Sequence, residues 1–384
     1  MHINNLTTEQ IALQDAARKL AQGVFKDTAG RWDAEGTYPE ENHKRLSDLG
    51  YLGMTIPEQY GGGGASLVDV YLVIEEIAKV DMNTALIVHD QNVSPRIIAT
   101  CGSDELKQAF LPRFARGEIE CSIAWTEPQA GSDATAVTTS VRPKDGGYVL
   151  NGGKIFTTFG DRADYLLVYA RFCDSKGARG IGTILVKRDS PGVTIHILEQ
   201  KMGARGCNEC EIHFDDVFVP ADHVVTEGVA DNSSGFVKPI GVYNATRTGM
   251  GVLALGVAEG AFDEARNYMK TRSQFGKTLS EMQGLQWMMA DMRIQIEAAR
   301  ALCYNALAMI DAGRPDPTLC SIAKLQATEM AQKVTHDSMQ MFGGYGYFGS
   351  LPLERMVRDV RMLTITGGTT QIHKNSIAAA IFRD

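Results

Sequence analysis

Apolar residues recur at three- and four-residue spacing from Thr7 to about Gly117, as in Ile11-Leu13-Ala16-Ala17-Leu20 and Val68-Val70-Tyr71-Val73-Ile74-Ile77. That period lines one face of an α-helix, so this stretch predicts amphipathic helices. Thr7-Thr8-Glu9-Gln10 spells a capping box for the first of them. The run Gly61-Gly62-Gly63-Gly64 predicts a loop, because four glycines inside an element would lose too much backbone freedom on folding. From about Cys121 to Val225 the pattern shortens to β-branched and aromatic runs broken by turns. Tyr148-Val149-Leu150, Tyr165 to Ala170, Gly182 to Val186, Val193 to Ile197 and Glu211 to Phe214 predict strands. From about Asn232 the helical period returns, with apolar stripes around Arg247 to Thr271, Gln283 to Ala312, Pro317 to Phe342 and Gln371 to Phe382. Three regions follow: helical over 1–120, β over 121–231 and helical over 232–384.

Composition narrows the class. With 44% hydrophobic and 22% charged residues in 384, the chain can bury a large core. A formal net charge of −8 and the lack of a basic block argue against nucleic acid or an anionic membrane surface as the main partner. No apolar run reaches the ~18 residues of a membrane span, and Met1 to Thr7 carries neither a signal nor a transit pattern, so a cytoplasmic location is expected. The seven cysteines, Cys101, Cys121, Cys173, Cys207, Cys210, Cys303 and Cys320, are odd in number and scattered, which suits a reducing compartment. Only Cys207-Asn208-Glu209-Cys210 has ligand-like spacing, and no second Cys/His pair accompanies it, so no metal is assigned.

Candidate chemistry is carried by five segments: Ala124-Trp125-Thr126-Glu127-Pro128-Gln129-Ala130-Gly131-Ser132-Asp133, Asn151-Gly152-Gly153-Lys154-Ile155-Phe156-Thr157-Thr158, Arg272 to Gln283, Gln340 to Tyr347, and Arg358 to Ile372. Taken alone, Gly-Ser-Asp is a turn and an alternating aromatic/Thr strand is more often core than a cofactor site. Together and in this order they resemble the acyl-CoA dehydrogenase family over essentially the whole length. The resemblance implies a mainly α fold with a central β domain: an N-terminal helical domain, a β-barrel-like middle domain and a C-terminal four-helix bundle. It also implies FAD. Thr126 would bond the flavin ring, Phe156 would offer an aromatic face where the family has Trp, and Thr158 would approach flavin N5. Ser132 would meet the CoA side. Arg272, Phe275, Gln283, Gln340, Gly343, Gly344, Thr369 and Gln371 would grip the pyrophosphate and adenine half, partly across a subunit interface, which implies a homotetramer built from dimers. Arg suits that task because its planar fork pairs phosphate oxygens.

One departure concerns the reaction itself. Where the family motif reads Ile-Tyr-Glu-Gly-Thr, this chain reads Ile365-Thr366-Gly367-Gly368-Thr369, so the proton-abstracting glutamate is Gly367. A few branches of the family place the glutamate just before an arginine within Tyr243-Asn244-Ala245-Thr246-Arg247, and there the residue is Thr246. Tyr243, Thr246 and Arg247 are expected at the substrate, with Arg247 ordering its thioester end. A positioned general base contributes roughly 10²- to 10⁴-fold to rate, so a dehydrogenase that lost it needs another base or a different reaction.

Asp90, in Ile87-Val88-His89-Asp90-Gln91-Asn92-Val93-Ser94-Pro95, is a carboxylate in an otherwise apolar stretch expected to line the acyl pocket. A helix end is the plainer reading, with Asn92 or Ser94 capping a following helix. The Leu, Ile and Val around Asp90 favour the substitute base, with His89 as an orienting or core residue. Glu127 and Asp133 are expected to be structural, and Asp359 to support a turn before Gly367. A displaced base suits an alicyclic thioester: in a 1-ene-1-carbonyl ring the α-carbon has no hydrogen to lose. The expected activity is FAD-dependent dehydrogenation of cyclohex-1-ene-1-carbonyl-CoA or cyclohexanecarbonyl-CoA, with electron-transferring flavoprotein as acceptor. An enoyl-CoA reductase, or a non-redox acyl-CoA lyase or desulfinase retaining FAD, is the alternative.

Overall fold

A computed structural model describes residues 6–383. Expectations resting on Met1 to Asn5, the absence of a leader pattern among them, lie outside the described residues. The capping box forms as spelled: Thr7 Oγ1 accepts the Gln10 amide at 3.2 Å and Gln10 Oε1 accepts the Thr7 amide at 3.1 Å. It opens α1 (Thr8–Leu20), which passes through a π-helical turn into α2 (Lys26–Glu35). Next come α3 (Glu40–Asp48), α4 (Leu67–Ala78), α5 (Met82–Gln91), α6 (Ser94–Cys101) and α7 (Asp104–Ala115). Asp81 caps α5 at its start by accepting the Asn83 amide at 3.0 Å. Asn92 closes the other end, donating to Val88 O at 2.8 Å and Tyr51 O at 2.9 Å. Neither Asn92 nor Ser94 caps α6, whose N-cap is Val93 with no side-chain bond. Both are held instead by contacts to neighbouring segments.

The β region is one eight-stranded sheet of β1 (Cys121–Ala124), β2 (Ser140–Lys144), β3 (Gly147–Thr158), β4 (Tyr165–Arg171), β5 (Ile181–Lys187), β6 (Val193–Ile197), β7 (Glu209–Pro220) and β8 (Val224–Thr226). Its order is β6-β7-β3-β2-β4-β5-β8, with β1 parallel to β4. The antiparallel β3–β7 pair positions the site. Thr157 faces Cys210 and Thr158 faces Glu209, after a register shift between Lys154 and Thr157. Thr157 and Cys210 are fully buried in the sheet core. Because side chains alternate along a strand, Thr158 and Glu209 share the opposite face.

The last third contains α8 (Ser234–Thr271), a short hairpin of β9 (Ser273–Gln274) and β10 (Lys277–Thr278), α9 (Gln283–Asp311), α10 (Pro317–Met341), α11 (Leu353–Leu363) and α12 (Thr370–Ile381). α8 starts well before the stripe that begins near Arg247, because Gly235, Pro239 and Gly241 disguise its first turns. Pro239 lacks the amide that would bond the Gly235 carbonyl, and Thr226 Oγ1 donates to that carbonyl at 2.7 Å instead. α8 packs between α4 and α10 at backbone contact. A Cβ on Gly260 would lie 2.0 Å from Lys79 O, so only glycine lets α4 come this close. Asp359 does not support the turn before Gly367. It lies within α11, where its Oδ1 accepts the Ala204 amide at 2.7 Å. Among the described residues no helix is long and apolar enough to cross a membrane.

Candidate active site

The motif after β1 is pinned to β3 by a buried ion pair. Glu127 Oε1 lies 2.6 Å from Lys154 Nζ, and the same carboxylate accepts the Thr138 amide at 2.7 Å and the Thr139 amide at 3.0 Å. Burial opposes its charge, but Lys154 and these donors overcome that and hold the Glu127 carboxyl well below the usual range. Thr126 O in turn accepts the Ile155 amide at 2.8 Å. Immediately beyond, the β3 bulge gives Phe156 a φ of 56° and leaves it 62% exposed. A bulge re-aims a side chain, and this one turns an aromatic ring out of the sheet with no protein to cover it. Ser132 sits in the exposed loop after Gly131.

Thr158 Oγ1 lies 3.2 and 3.1 Å from the two Glu209 oxygens, and Glu209 Oε1 lies 3.4 Å from Lys201 Nζ. Asp90 lies in the last turn of α5. Burial, then repulsion from Glu209, pushes its carboxyl up to about 8, with Lys201 offsetting part of this. Its side chain keeps 25% of its exposure, and the nearest basic atom is His89 Nε2 at 4.0 Å. His89 is buried, with Nδ1 at 3.3 Å from Tyr71 Oη and Nε2 without a hydrogen bond. Burial lowers this imidazole to about 4, so it is neutral near pH 7 and does not neutralise Asp90.

Gly367 lies in the loop between α11 and α12 with a φ of +68°. A Cβ there would have only Met250 Cγ nearby, at 3.4 Å. Two cations flank this loop. Lys324 Nζ donates to Gly368 O at 2.7 Å, and Arg247 bonds Asn244 Oδ1 at 3.2 Å while its buried Nε has no partner. Burial, then the charge of Arg247, lowers Lys324 to about 8, and burial with both cations lowers His373 to about 4. Tyr243 stacks edge-on against Trp125 with centroids 5.4 Å apart, and burial raises its hydroxyl, with Arg247 opposing that shift and Asp90 adding to it. Thr246 is 5% exposed and lines a small cavity with Tyr71, His89 and Arg96.

At the far end of the helical bundle Arg272, Gln340, Gly343 and Gly344 line one cleft of about 730 Å³, with Tyr345 and Phe348 beside them. The Arg272 guanidinium lies 5.7 Å from the Tyr345 ring centroid. Phe275, at the tip of the β9–β10 hairpin, is 94% exposed. Gln283 opens α9 and Gln371 lies in the first turn of α12, both exposed. Thr369 caps α12 by accepting the Ile372 amide. Within one chain these four do not line the cleft.

Comparison with known proteins gives matches to the N-terminal, middle and C-terminal domain models of acyl-CoA dehydrogenase over residues 7–118, 122–217 and 233–382. The chain belongs to the acyl-CoA dehydrogenase family. It is 37% identical over 380 residues to a short-chain specific acyl-CoA dehydrogenase of Clostridium acetobutylicum, covering 99% of both chains. It is 41% identical over 380 residues to a 3-sulfinopropanoyl-CoA desulfinase of Paraburkholderia xenovorans, covering 98% of this chain and 96% of the other. The butyryl-CoA dehydrogenase of Megasphaera elsdenii superimposes with a TM-score of 0.95 at 34% identity, covering all of both chains.

Acyl-CoA dehydrogenases are FAD-dependent oxidoreductases acting on CH–CH groups. The residues present fit FAD: an outward aromatic ring on the β3 bulge, and a distant cleft with an unpaired Arg272. Sequence reasoning missed Glu209, Lys201, Lys324 and His373. Glu209 was masked by the cysteines on either side of it, although the structure gives those thiols separate surroundings. Cys207 Sγ lies 3.6 Å from Asn83 Oδ1, and Cys210 Sγ lies 3.7 Å from Asp161 Oδ1. Among the described residues no group of three or more His, Cys, Asp or Glu side chains is placed to hold a metal.

Proposed function

We propose that this acyl-CoA dehydrogenase acts on an alicyclic thioester, cyclohex-1-ene-1-carbonyl-CoA or cyclohexanecarbonyl-CoA, with Asp90 as the base. The observation that carries the reading is the combination of a side-chain-free position 367 with an unneutralised carboxylate at 90. Thr158, Phe156 and Thr126 would hold the flavin end of FAD, while Arg272, Gln340, Gly343 and Gly344 would hold its adenine half. When bound, FAD supplies the hydride acceptor at N5. Ionised Asp90 takes a ring proton. Arg247, Lys324 and the Gly367 amide face the negative charge that then grows on the thioester oxygen, and fixed charges and donors stabilise it without reorganising. Tyr243 and Thr246 border the acyl group, Ser132 the CoA. Absence of a side chain at Gly367 leaves room for the ring.

Exposed Phe275, Trp287, Ile294, Tyr347 and Phe382 form apolar surface that suits subunit contacts. With Phe275, Gln283, Thr369 and Gln371 outside the cleft of their own chain, this supports a homotetramer in which two chains share each FAD. Electron-transferring flavoprotein is the proposed acceptor.

The test is anaerobic mixing with a panel of CoA thioesters. Flavin bleaching by a saturated or mono-unsaturated ring thioester is the expected result. Reoxidation of reduced flavin by an enoyl-CoA as the only activity would make the enzyme a reductase, and turnover without bleaching would make it a lyase or desulfinase.

A further inference from the structure

His89 has no task in the proposed mechanism, yet it is 1% exposed and its Nε2 has no hydrogen-bond partner among the described residues. Leaving a buried polar atom unpaired is costly, so the position calls for an explanation. Its other nitrogen is held from α4: Tyr71 Oη lies 3.3 Å from Nδ1, with the two ring centroids 5.9 Å apart. Tyr71 is itself locked against α8. A Cβ on Gly249 would lie 2.1 Å from Tyr71 Oη, so only glycine lets the hydroxyl enter there, and one turn earlier Ala245 O lies 3.5 Å from it. On the imidazole's far side, Nε2 lies 4.0 Å from Asp90 Oδ1. Packing of α4, α5 and α8 thus sets Tyr71, His89 and Asp90 in a row.

We infer that His89 is the positioning residue for Asp90: with Tyr71 donating to Nδ1, the imidazole carries its single proton on Nε2 and donates it to the ionised Asp90 carboxylate when the thioester is bound. The inference rests on Asp90 being the base. Which nitrogen of a neutral imidazole bears the proton is set by the bond that the other makes, and burial keeps His89 neutral near pH 7. A gap of 4.0 Å is wider than a hydrogen bond. Contacts to a catalytic group are commonly long before substrate binds and tighten with it. A neutral donor suits the task better than a cation does. Burial disfavours the ionised form of Asp90, so a base at this position needs support for its charge, whereas a full partner charge, as Lys154 gives Glu127, would leave it ionised but poorly basic. The other titratable groups that act on Asp90 are Glu209 and Lys201, in opposite senses, with the Tyr71 and Tyr243 hydroxyls and the Cys207 thiol, all three raised by burial.

The experiment takes the FAD-loaded enzyme with nitrogen-15 histidine and reads the imidazole signals by solid-state NMR, alongside the pH profile of single-turnover flavin reduction. The His89 signal, identified by its loss in His89→Phe, should show a protonated Nε2 and an unprotonated, hydrogen-bonded Nδ1. Its Nε2 component should step as Asp90 titrates at about 8, and the step should be missing in Asp90→Asn. A proton on Nδ1 in the wild type, or an Nε2 signal indifferent to Asp90, overturns the inference. Tyr71→Phe removes the donor to Nδ1 and should mix the two tautomers, so it identifies the same signal if His89→Phe fails to fold. His89→Phe should bind FAD and thioester as the wild type does but reduce flavin roughly ten-fold more slowly, the size expected for one hydrogen bond to a charged group, with its rate profile displaced to higher pH. A wild-type rate and profile in His89→Phe, while Asp90→Asn remains slow, overturns the role of His89 alone. A wild-type rate in Asp90→Asn removes the base assignment and this inference with it.

Discussion

Glu127 and Asp90 are both carboxylates largely removed from bulk water, yet their surroundings are opposite. Glu127 meets Lys154 Nζ at 2.6 Å, two backbone amides and Gln129 Nε2 at 2.6 Å. Asp90 has a neutral imidazole at 4.0 Å, and burial, then the charge of a second carboxylate, Glu209, opposes its ionisation. A buried charge that is fully paired fixes structure, here the strand-to-loop junction that carries Thr126. One left unpaired is shifted toward its neutral form and becomes able to exchange a proton near neutral pH. Position in a recognisable motif marks the first, and absence from any motif marks the second.

The largest effect should come from breaking the paired site. Lys154→Met leaves Glu127 buried beside neutral donors alone, and loss of one partner of a buried pair costs about 3–5 kcal/mol. Urea denaturation should show that loss, with flavin binding weakened as the Thr126 loop comes free. A similar stability in the variant would mean that the pair is not what holds the junction.

A smaller effect separates the two carboxylates by pH. Asp90 binds its proton more tightly folded than unfolded, so between its unfolded value of 3.8 and about 8 the folded chain holds more protons and stability falls as pH rises. Glu209, raised chiefly by burial, adds to the same slope. Asp90→Asn should flatten the decline, gaining roughly 1–3 kcal/mol over wild type at the alkaline end once solvent screening is allowed for. Glu127 works in the other direction. Its contribution is complete above its unfolded value of 4.5 and fades only as pH falls toward about 2. Denaturation midpoints taken across this range check both slopes, and an unchanged slope in Asp90→Asn would show that its carboxyl is solvated in the folded chain.

Much of this was legible beforehand. Periodicity placed the helical, β and helical regions, Thr7 and Gln10 marked the first cap, and Asp90 stood out as an acid among Ile87, Val88 and Val93. The misses have physical causes. α8 hid its start behind Pro239, whose missing hydrogen bond is repaired by Thr226, a residue outside the helix. α11 escaped because the motif around Asp359 drew attention from its Leu353-Met356-Val360-Leu363 stripe. Glu209 became meaningful only through the β3–β7 register that sets it opposite Thr158, and Lys324 only through the helix packing that carries it to Gly368. Pairing across strands and helices is long-range, and no local spacing encodes it.

The most direct test of Asp90 as the base is single-turnover flavin reduction by Asp90→Asn, mixed anaerobically with the ring thioester that bleaches the wild type. Asn keeps the size and hydrogen bonding of Asp and loses its basicity. FAD content and thioester binding should persist while the reduction rate falls by roughly 10²-fold or more. Reduction at the wild-type rate would contradict the account and make Asp90 a structural residue.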